Sequence, residues 1–381
     1  MSVARYAGLT WDHPRGRDAL EAAAANAPDD LEIVWDVHSL EGFESAPIDE
    51  LAQRYDLIVL DHPHIGDALV HDSLQPMEDV VGSDVLADIA RRAVGPSLET
   101  YRLDGRTWAL PLDAATQVSA RRDDLAPVEP GTWDDVRALA QEAPVALSLS
   151  GPHAYLTFAS VCQSLGAPLA GGVADEIVEV GAAEAALALL SEIAAHAPHG
   201  SDTENPIALL ERMTTGDDIA YIPLVYGYVG YADRSLARPV TFGPSPTGAD
   251  GRVGSTIGGT GIAVTRRAEV SEALRAHLVW LLSDEAQTDF IPAHHGQPAM
   301  AGAWDSAAVN APFGDFYRRT RATIEGAWTR PRFPRFTPVQ SEMSLAVREA
   351  LLSGMSARDL VATLTRLQNE AAGHHVQEVH S

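Results

Sequence analysis

Three short apolar runs near the amino terminus, separated by helical stretches, constrain the fold of this chain more than any other feature. Residues 4–9, 31–37 and Leu57–Leu60 read as strands. Between them, residues 18–26 are Ala-rich and read as a helix, and residues 48–54 as a shorter one. A strand–helix–strand–helix–strand order requires crossover connections. It therefore predicts a parallel sheet with right-handed crossovers and helices on its faces. A strand order of 2-1-3 makes the first and third strands neighbours.

The same alternation resumes further on. The stretch YRLDGRTWALPLDAATQVSARRDDL, residues 101–125, reads as a hairpin followed by an extended crossing. TWDDVRALAQEA is a capped helix with Thr132 or Asp134 near its start. Residues 145–150 read as a strand, followed by a helix from Tyr155. Residues 182–195 and 206–213 read as helices, and 219–224 as a strand. A glycine-rich bend then precedes a strand at 261–265, an amphipathic helix at 271–282 and a mostly helical tail. At 381 residues the chain is too long for one ordinary core. The expected architecture is α/β with two interleaved lobes, each a mainly parallel sheet flanked by helices. Lobe one takes 1–112 plus 256–305, and lobe two takes 113–255 plus 306–381.

Composition removes several classes of function. All 27 basic residues are Arg, against 53 acidic ones, for a net charge of −26. Without Lys there is no Walker phosphate loop and no Schiff-base chemistry. The negative charge disfavours nucleic acid and anionic lipid, whose phosphates are met by cations. No apolar run approaches the ~20 residues of a membrane span, so no direct membrane insertion is expected. The single cysteine, Cys162, lies in the apolar helical run YLTFASVCQSLGAP and reads as packing. Nucleophile-elbow and H-E-x-x-H motifs are absent from the sequence. The first residues, MSVARYAGLTWDHPRG, hold no long apolar leader segment. Either Met1 heads a mature chain or the native protein starts there and is cytoplasmic.

The sharpest local signal is a repeated tripeptide. Asp12-His13-Pro14 follows the first strand and Asp61-His62-Pro63 follows the third. In open α/β sheets ligands bind beyond the carboxyl ends of the strands. Trp11, Asp12, His13, Arg15, Asp61, His62 and His64 thus form one candidate binding cluster. It has three chemical readings. Imidazoles and an Arg fork suit a carboxylate or carbonyl solute. His62-x-His64 beside Asp61 could ligate zinc. A histidine could serve as a general acid or base. Asp and Pro would equally serve as turn formers. On the crossing stretch, Asp113 and Gln117 are further candidates. Gly259 and Thr260 lie in IGGTG, where glycines admit close approach to backbone N–H groups. As a dinucleotide fingerprint that segment fails, because Val264 stands where the third Gly belongs and a strand follows. Tyr226 and Tyr228 offer flat faces with hydroxyls, and His295 sits in the loop HHGQP. No catalytic or metal-ligating assignment is made, and no cofactor is expected.

These segments resemble the extracellular solute-binding proteins of family 1, which serve ABC transporters and have the type 2 periplasmic-binding-protein fold. GRTWALPLDAATQVSARRDDL, TWDDVRALAQ, GGTGIAV, SEALRAHLVWLLSDEAQTDF and HHGQPAM occur in that family's order and spacing. TWDHPRG and YDLIVLDHPHIG are similar to one subgroup of it. The resemblance implies a solute held in an interlobe cleft by hinge closure, ABC transporter membrane subunits as partners, and an extracytoplasmic location. It implies a monomer that catalyses no reaction. Many members bind sugars on Trp platforms, whereas aromatics are only 6% here. The expected ligand is accordingly a small aromatic or a carboxyl- or amide-bearing compound, with a sugar next. A cytoplasmic ligand sensor or delivery protein, and an enzyme using the His/Asp cluster, are the rival expectations.

Overall fold

The computed structural model describes residues 3–378. The chain forms two compact units. The first comprises 1–114, 258–309 and 332–337, the second 115–257, 310–331 and 338–381. Among the described residues no helix is long and apolar enough to cross a membrane.

In the first unit β1 (Ala4–Trp11) pairs in parallel with β2 (Leu31–His38) on one side and with β3 (Leu57–Leu60) on the other. The order is therefore 2-1-3. Helix Pro14–Ala25 makes the first crossover. Its Ala-rich face buries Ala19, Leu20 and Ala23. The core beneath β1 and β3 gathers Leu9, Ile58, Leu60, Ile65, Leu74, Tyr101 and Trp108. A two-stranded hairpin, β4 (Arg102–Leu103) and β5 (Arg106–Thr107), turns at Asp104-Gly105, both with positive φ, 52° and 74°. That is the Asp-Gly chemistry of tight hairpins. Residues 332–337 pack with this unit rather than with the tail to which sequence alone assigned them. The reason is local bonding: Arg332 Nη1 donates to the carbonyls of Glu99, Thr100 and Arg102 at 2.8, 3.0 and 2.7 Å.

The second unit is built on the 115–121 stretch of β6 (Leu110–Arg121), whose twelve residues are all buried. β7 (Tyr221–Tyr226) and β8 (Thr241–Gly243) both pair with it antiparallel. The mainly parallel sheet expected for this lobe is thus corrected. Parallel pairing here is limited to single bridges such as Val145 to Tyr221. Residues 145–150 are not a strand, because the Ser148 carbonyl accepts from the Thr157 hydroxyl at 3.1 Å instead of joining a ladder. Helix Trp133–Ala140 starts with a complete capping box between Thr132 and Asp135. Helix His153–Ser164 is buried nearly all round, and Cys162 within it is fully enclosed. Burial raises that thiol's pKa and keeps it protonated.

Gln117, a candidate ligand residue, lies in an internal hydrogen-bond network. It is fully buried; its Oε1 accepts from Ser160 Oγ at 2.6 Å, and Ser160 in turn lies 2.9 Å from Thr256 Oγ1. A long amide on a fully buried strand must satisfy both ends inside the protein. Gln117→Ala is expected to lower unfolding stability by about 1–3 kcal/mol, read from urea denaturation midpoints.

Candidate functional site

β1 and β3 are aligned with Gly8 opposite Leu57 and Leu9 opposite Ile58. Continuing that register sets Trp11 level with Leu60, and Asp12 level with Asp61. The two Asp-His-Pro corners therefore leave the sheet side by side. β9 (Ile257–Val264) runs antiparallel to β3, with Gly261 opposite Leu60. Thr260 and Gly259 thus extend past the last paired residue, to the edge where Asp61 turns away. IGGTG is part of a strand and not a bend before one. Gly259 carries the local irregularity, at φ +94°. Gly261 is required for a different reason: a Cβ there would meet the Tyr101 ring at 2.7 Å.

The first corner is organised by Arg15. Its Nε donates to Asp113 Oδ2 at 2.7 Å and its Nη2 to Asp113 Oδ1 at 2.5 Å, a bidentate fork with both side chains only 6% exposed. The guanidinium lies over the Trp11 ring at 5.7 Å, and His13 stacks on the same indole at 5.3 Å. Trp11 is buried, and Gly16 leaves room for it, since a Cβ at 16 would strike the indole nitrogen. His13 caps helix Pro14–Ala25: its Nδ1 accepts from the Arg15 backbone N–H at 3.1 Å. An accepting Nδ1 means a neutral ring. Burial first, and the Arg15 charge second, lower the His13 pKa to about 4. Asp12 is exposed and pairs with Arg17 at 2.5 Å.

The second corner turns inward. Asp61 Oδ1 accepts from the His62 backbone N–H at 2.9 Å, so Asp61 shapes the turn. His62 is fully buried and meets the Tyr101 ring edge-on at 6.4 Å. It is enclosed where the spacing predicts an open ligand residue. His64 is also buried. Among the described residues no group of three His, Cys, Asp or Glu is placed to hold a metal ion. His295 takes a left-handed backbone, φ 64°, and is 70% exposed. Its Nδ1 sits 2.8 Å from Asp18 Oδ2, on the helix that follows His13.

One histidine at this edge escaped the motif reading. His38 ends β2, its Cα paired with Trp11; its ring meets Phe43 edge-on at 6.0 Å. Burial, with His64 as the second cause, lowers its pKa. The available signal was periodic: each of the three parallel strands runs into a histidine, His13, His38 and His62.

In the second unit Tyr226, at the end of β7, is half-buried. It meets the buried His153 at 5.8 Å and donates to the Ile257 carbonyl at 3.4 Å. His153 carried no sequence motif. Tyr228 is buried.

Arg15→Ala is expected to destabilise the fold. Removing one partner of a buried bidentate pair strands the other charge and costs about 3–5 kcal/mol. Urea denaturation of Arg15→Ala, compared with an Arg15→Met/Asp113→Leu double variant that recovers most of the loss, checks this. The lowered His13 pKa sets a second expectation. Its folded value, about 4, lies below the ordinary 6.5. The unfolded chain therefore takes up the proton first as pH falls. The stability contribution is complete above pH 6.5 and is lost between 6.5 and about 4; it amounts to about 1–3 kcal/mol. Denaturation between pH 7 and 4 should show this loss, and a His13→Gln variant should show less of it.

Known solute-binding protein structures share this architecture. A ribitol complex of an ABC transporter solute-binding protein from Agrobacterium radiobacter K84 superposes with TM-score 0.79 at 19% identity, covering 98% of this chain and 99% of that one. The GacH receptor of Streptomyces glaucescens, solved unliganded and with acarbose, gives 0.80 at 15% identity over 98% and 100%. An ABC transporter solute-binding protein from Thermotoga lettingae bound to α-D-tagatose gives 0.77 at 12% over 98% and 100%. At these identities the likeness establishes the two-lobed fold. No curated protein sequence matches the chain. Residues 46–313, well over half of the chain, match the family model described as bacterial extracellular solute-binding protein. The chain belongs to the bacterial extracellular solute-binding proteins.

Proposed function

We propose that this solute-binding protein captures a neutral, hydroxyl-rich solute, a sugar or a polyol, outside the cytoplasm and delivers it to the membrane subunits of an ABC transporter. The observation that carries the choice of solute is the Arg15–Asp113 pair. The fork that should meet a solute carboxylate already holds one of the protein's own carboxylates. The polar groups at this edge are then a neutral imidazole at His13, the backbone around Gly259 and Thr260, and the carboxylate of Asp61. Neutral imidazoles and carboxylates between them donate to and accept from hydroxyl groups.

An aromatic acid fits less well, because Trp11 is buried with His13 against its indole. The net charge of −26 also opposes anionic solutes at long range. Three structurally similar proteins are named with ribitol, tagatose and acarbose, and those ligands support a hydroxyl-rich solute for this chain. Capture follows the family's logic: solute contacts made only in the closed form stabilise closure. Micromolar affinity needs about −8 kcal/mol net. A handful of hydrogen bonds, with charged partners contributing about 1.5–3 kcal/mol each, supplies that order of energy.

A thermal-shift screen of pentitols, hexoses, maltodextrins, benzoates and amino acids tests the proposal, because a solute that binds only the native state raises the melting temperature. The expected result is a saturable shift with at least one neutral polyol or sugar. The solute should be recovered unchanged and the scattering radius of the protein should fall on binding. Shifts confined to carboxylates or aromatics, or a solute converted on incubation, would overturn it.

A further inference from the structure

We propose that the free edge of β2 docks a second copy of this chain, two β2 strands pairing antiparallel about a two-fold axis at Trp35. This dimer stands in place of the monomer that family resemblance implies, and it is independent of the solute reading.

β2 ends the strand order of the first unit. β1 pairs with one side of it and, among the described residues, no strand pairs with the other. Successive residues of a strand turn their N–H and C=O groups to opposite sides. The Asp30 and His38 carbonyls accept from the backbone N–H groups of Ala4 and Asp12, both at 2.8 Å. Even-numbered residues of β2 therefore bond to β1, and Ile33, Trp35 and Val37 aim their backbone groups at the open side. The side chains leave those groups accessible. The Trp35 ring lies over Gly8 of β1, where a Cβ would meet it at 2.5 Å, so it is held back from the edge. Val34 is 58% exposed and Val37 41%. Open backbone rungs flanked by exposed β-branched side chains form a template for a further strand.

The charge pattern names the occupant. Glu32, Val34, Asp36 and His38 alternate along one face of β2. Antiparallel pairing through the open rungs matches odd-numbered residues with odd-numbered ones. With the axis at Trp35, Ile33 faces Val37 of the second copy, Glu32 faces His38 and Val34 faces Asp36. No two like charges stand directly opposite. Other registers are worse. An axis at Val34 opposes Glu32 to Asp36 twice, and one at Asp36 opposes that residue to itself. An axis at Ile33 leaves Val37 beyond the paired stretch. Both acids are also held within their own chain: Glu32 pairs with Arg5 at 2.8 Å, and Asp36 accepts from the Tyr55 hydroxyl at 3.0 Å. The strand is thus complementary to itself in one register.

The test uses the full chain. Sedimentation velocity from about 5 to about 500 μM covers weak interfaces. Sodium chloride at about 0.3 M screens the repulsion between two chains of −26. The expected result is a reversible monomer–dimer equilibrium. Val37→Pro removes an outward N–H and no bond to β1. Val34→Glu leaves the backbone intact and sets a like charge opposite Asp36. Each variant, shown to be folded by circular dichroism, should associate at least tenfold more weakly. Cysteine crosslinking reads the register. Cys162 is enclosed, so an introduced cysteine reports alone. Across the paired edges, even-numbered residues form the close pairs, about 4.5 Å between Cα atoms and within disulfide reach. Val34→Cys mixed with Asp36→Cys should crosslink under mild oxidation, and either chain alone should do so far less. A chain that stays monomeric at about 500 μM overturns the proposal and leaves the edge to an extended segment of another protein. So does unchanged association in both folded variants. Crosslinking of Val34→Cys alone as strong as in the mixture overturns it as well.

Discussion

Neighbouring strands in a sheet stand about 4.8 Å apart. With Gly8 facing Leu57 across a parallel ladder, whatever follows β1 and β3 must emerge at one level and within reach of the other. The placement of both Asp-His-Pro corners depends on that register. A slip of one residue would turn every side chain to the opposite face, and the buried run from Leu57 to Leu60 opposes any slip. β9 extends the same logic, because its antiparallel pairing puts Gly259 and Thr260 at the edge where Asp61 leaves.

On this frame the charges are arranged to cancel. A chain with almost twice as many acids as bases, and only arginines as bases, can pair each guanidinium with carboxylates. Arg15 with Asp113 and Arg17 with Asp12 are two cases a few residues apart. Beside these pairs the His13 ring is neutral, because its ring nitrogen accepts a backbone hydrogen bond and burial opposes its protonation.

Much of the fold was legible from residue order. Alternating strands and helices imply a parallel sheet, the stretch 101–125 reads as starting with a hairpin, and Thr132 marks a helix start by local chemistry. These are short-range rules acting on neighbours in sequence. The site was legible only in outline. Two aligned corners followed from the motif, and His38 was available to anyone noting that each parallel strand meets a histidine. The roles of individual side chains were not. His62 and His13 occupy the same position in the same tripeptide, yet one is enclosed against Tyr101 and the other stacks on Trp11 and caps a helix.

The sequence by itself determined the alternation of strands and helices in the first unit, the position of each Asp-His-Pro corner after a strand and the exclusion of lysine chemistry, because each depends on local pattern or on composition. Tertiary structure decided which partners those groups take. Asp113 reaches Arg15 across 98 residues, Gln117 closes a buried network with Ser160 and Thr256, and residues 332–337 return to the first unit through Arg332. Each of those outcomes comes from a buried polar group finding a partner distant in the chain. Burial makes the pairing obligatory, while only the folded path of the backbone brings the partner within hydrogen-bond range.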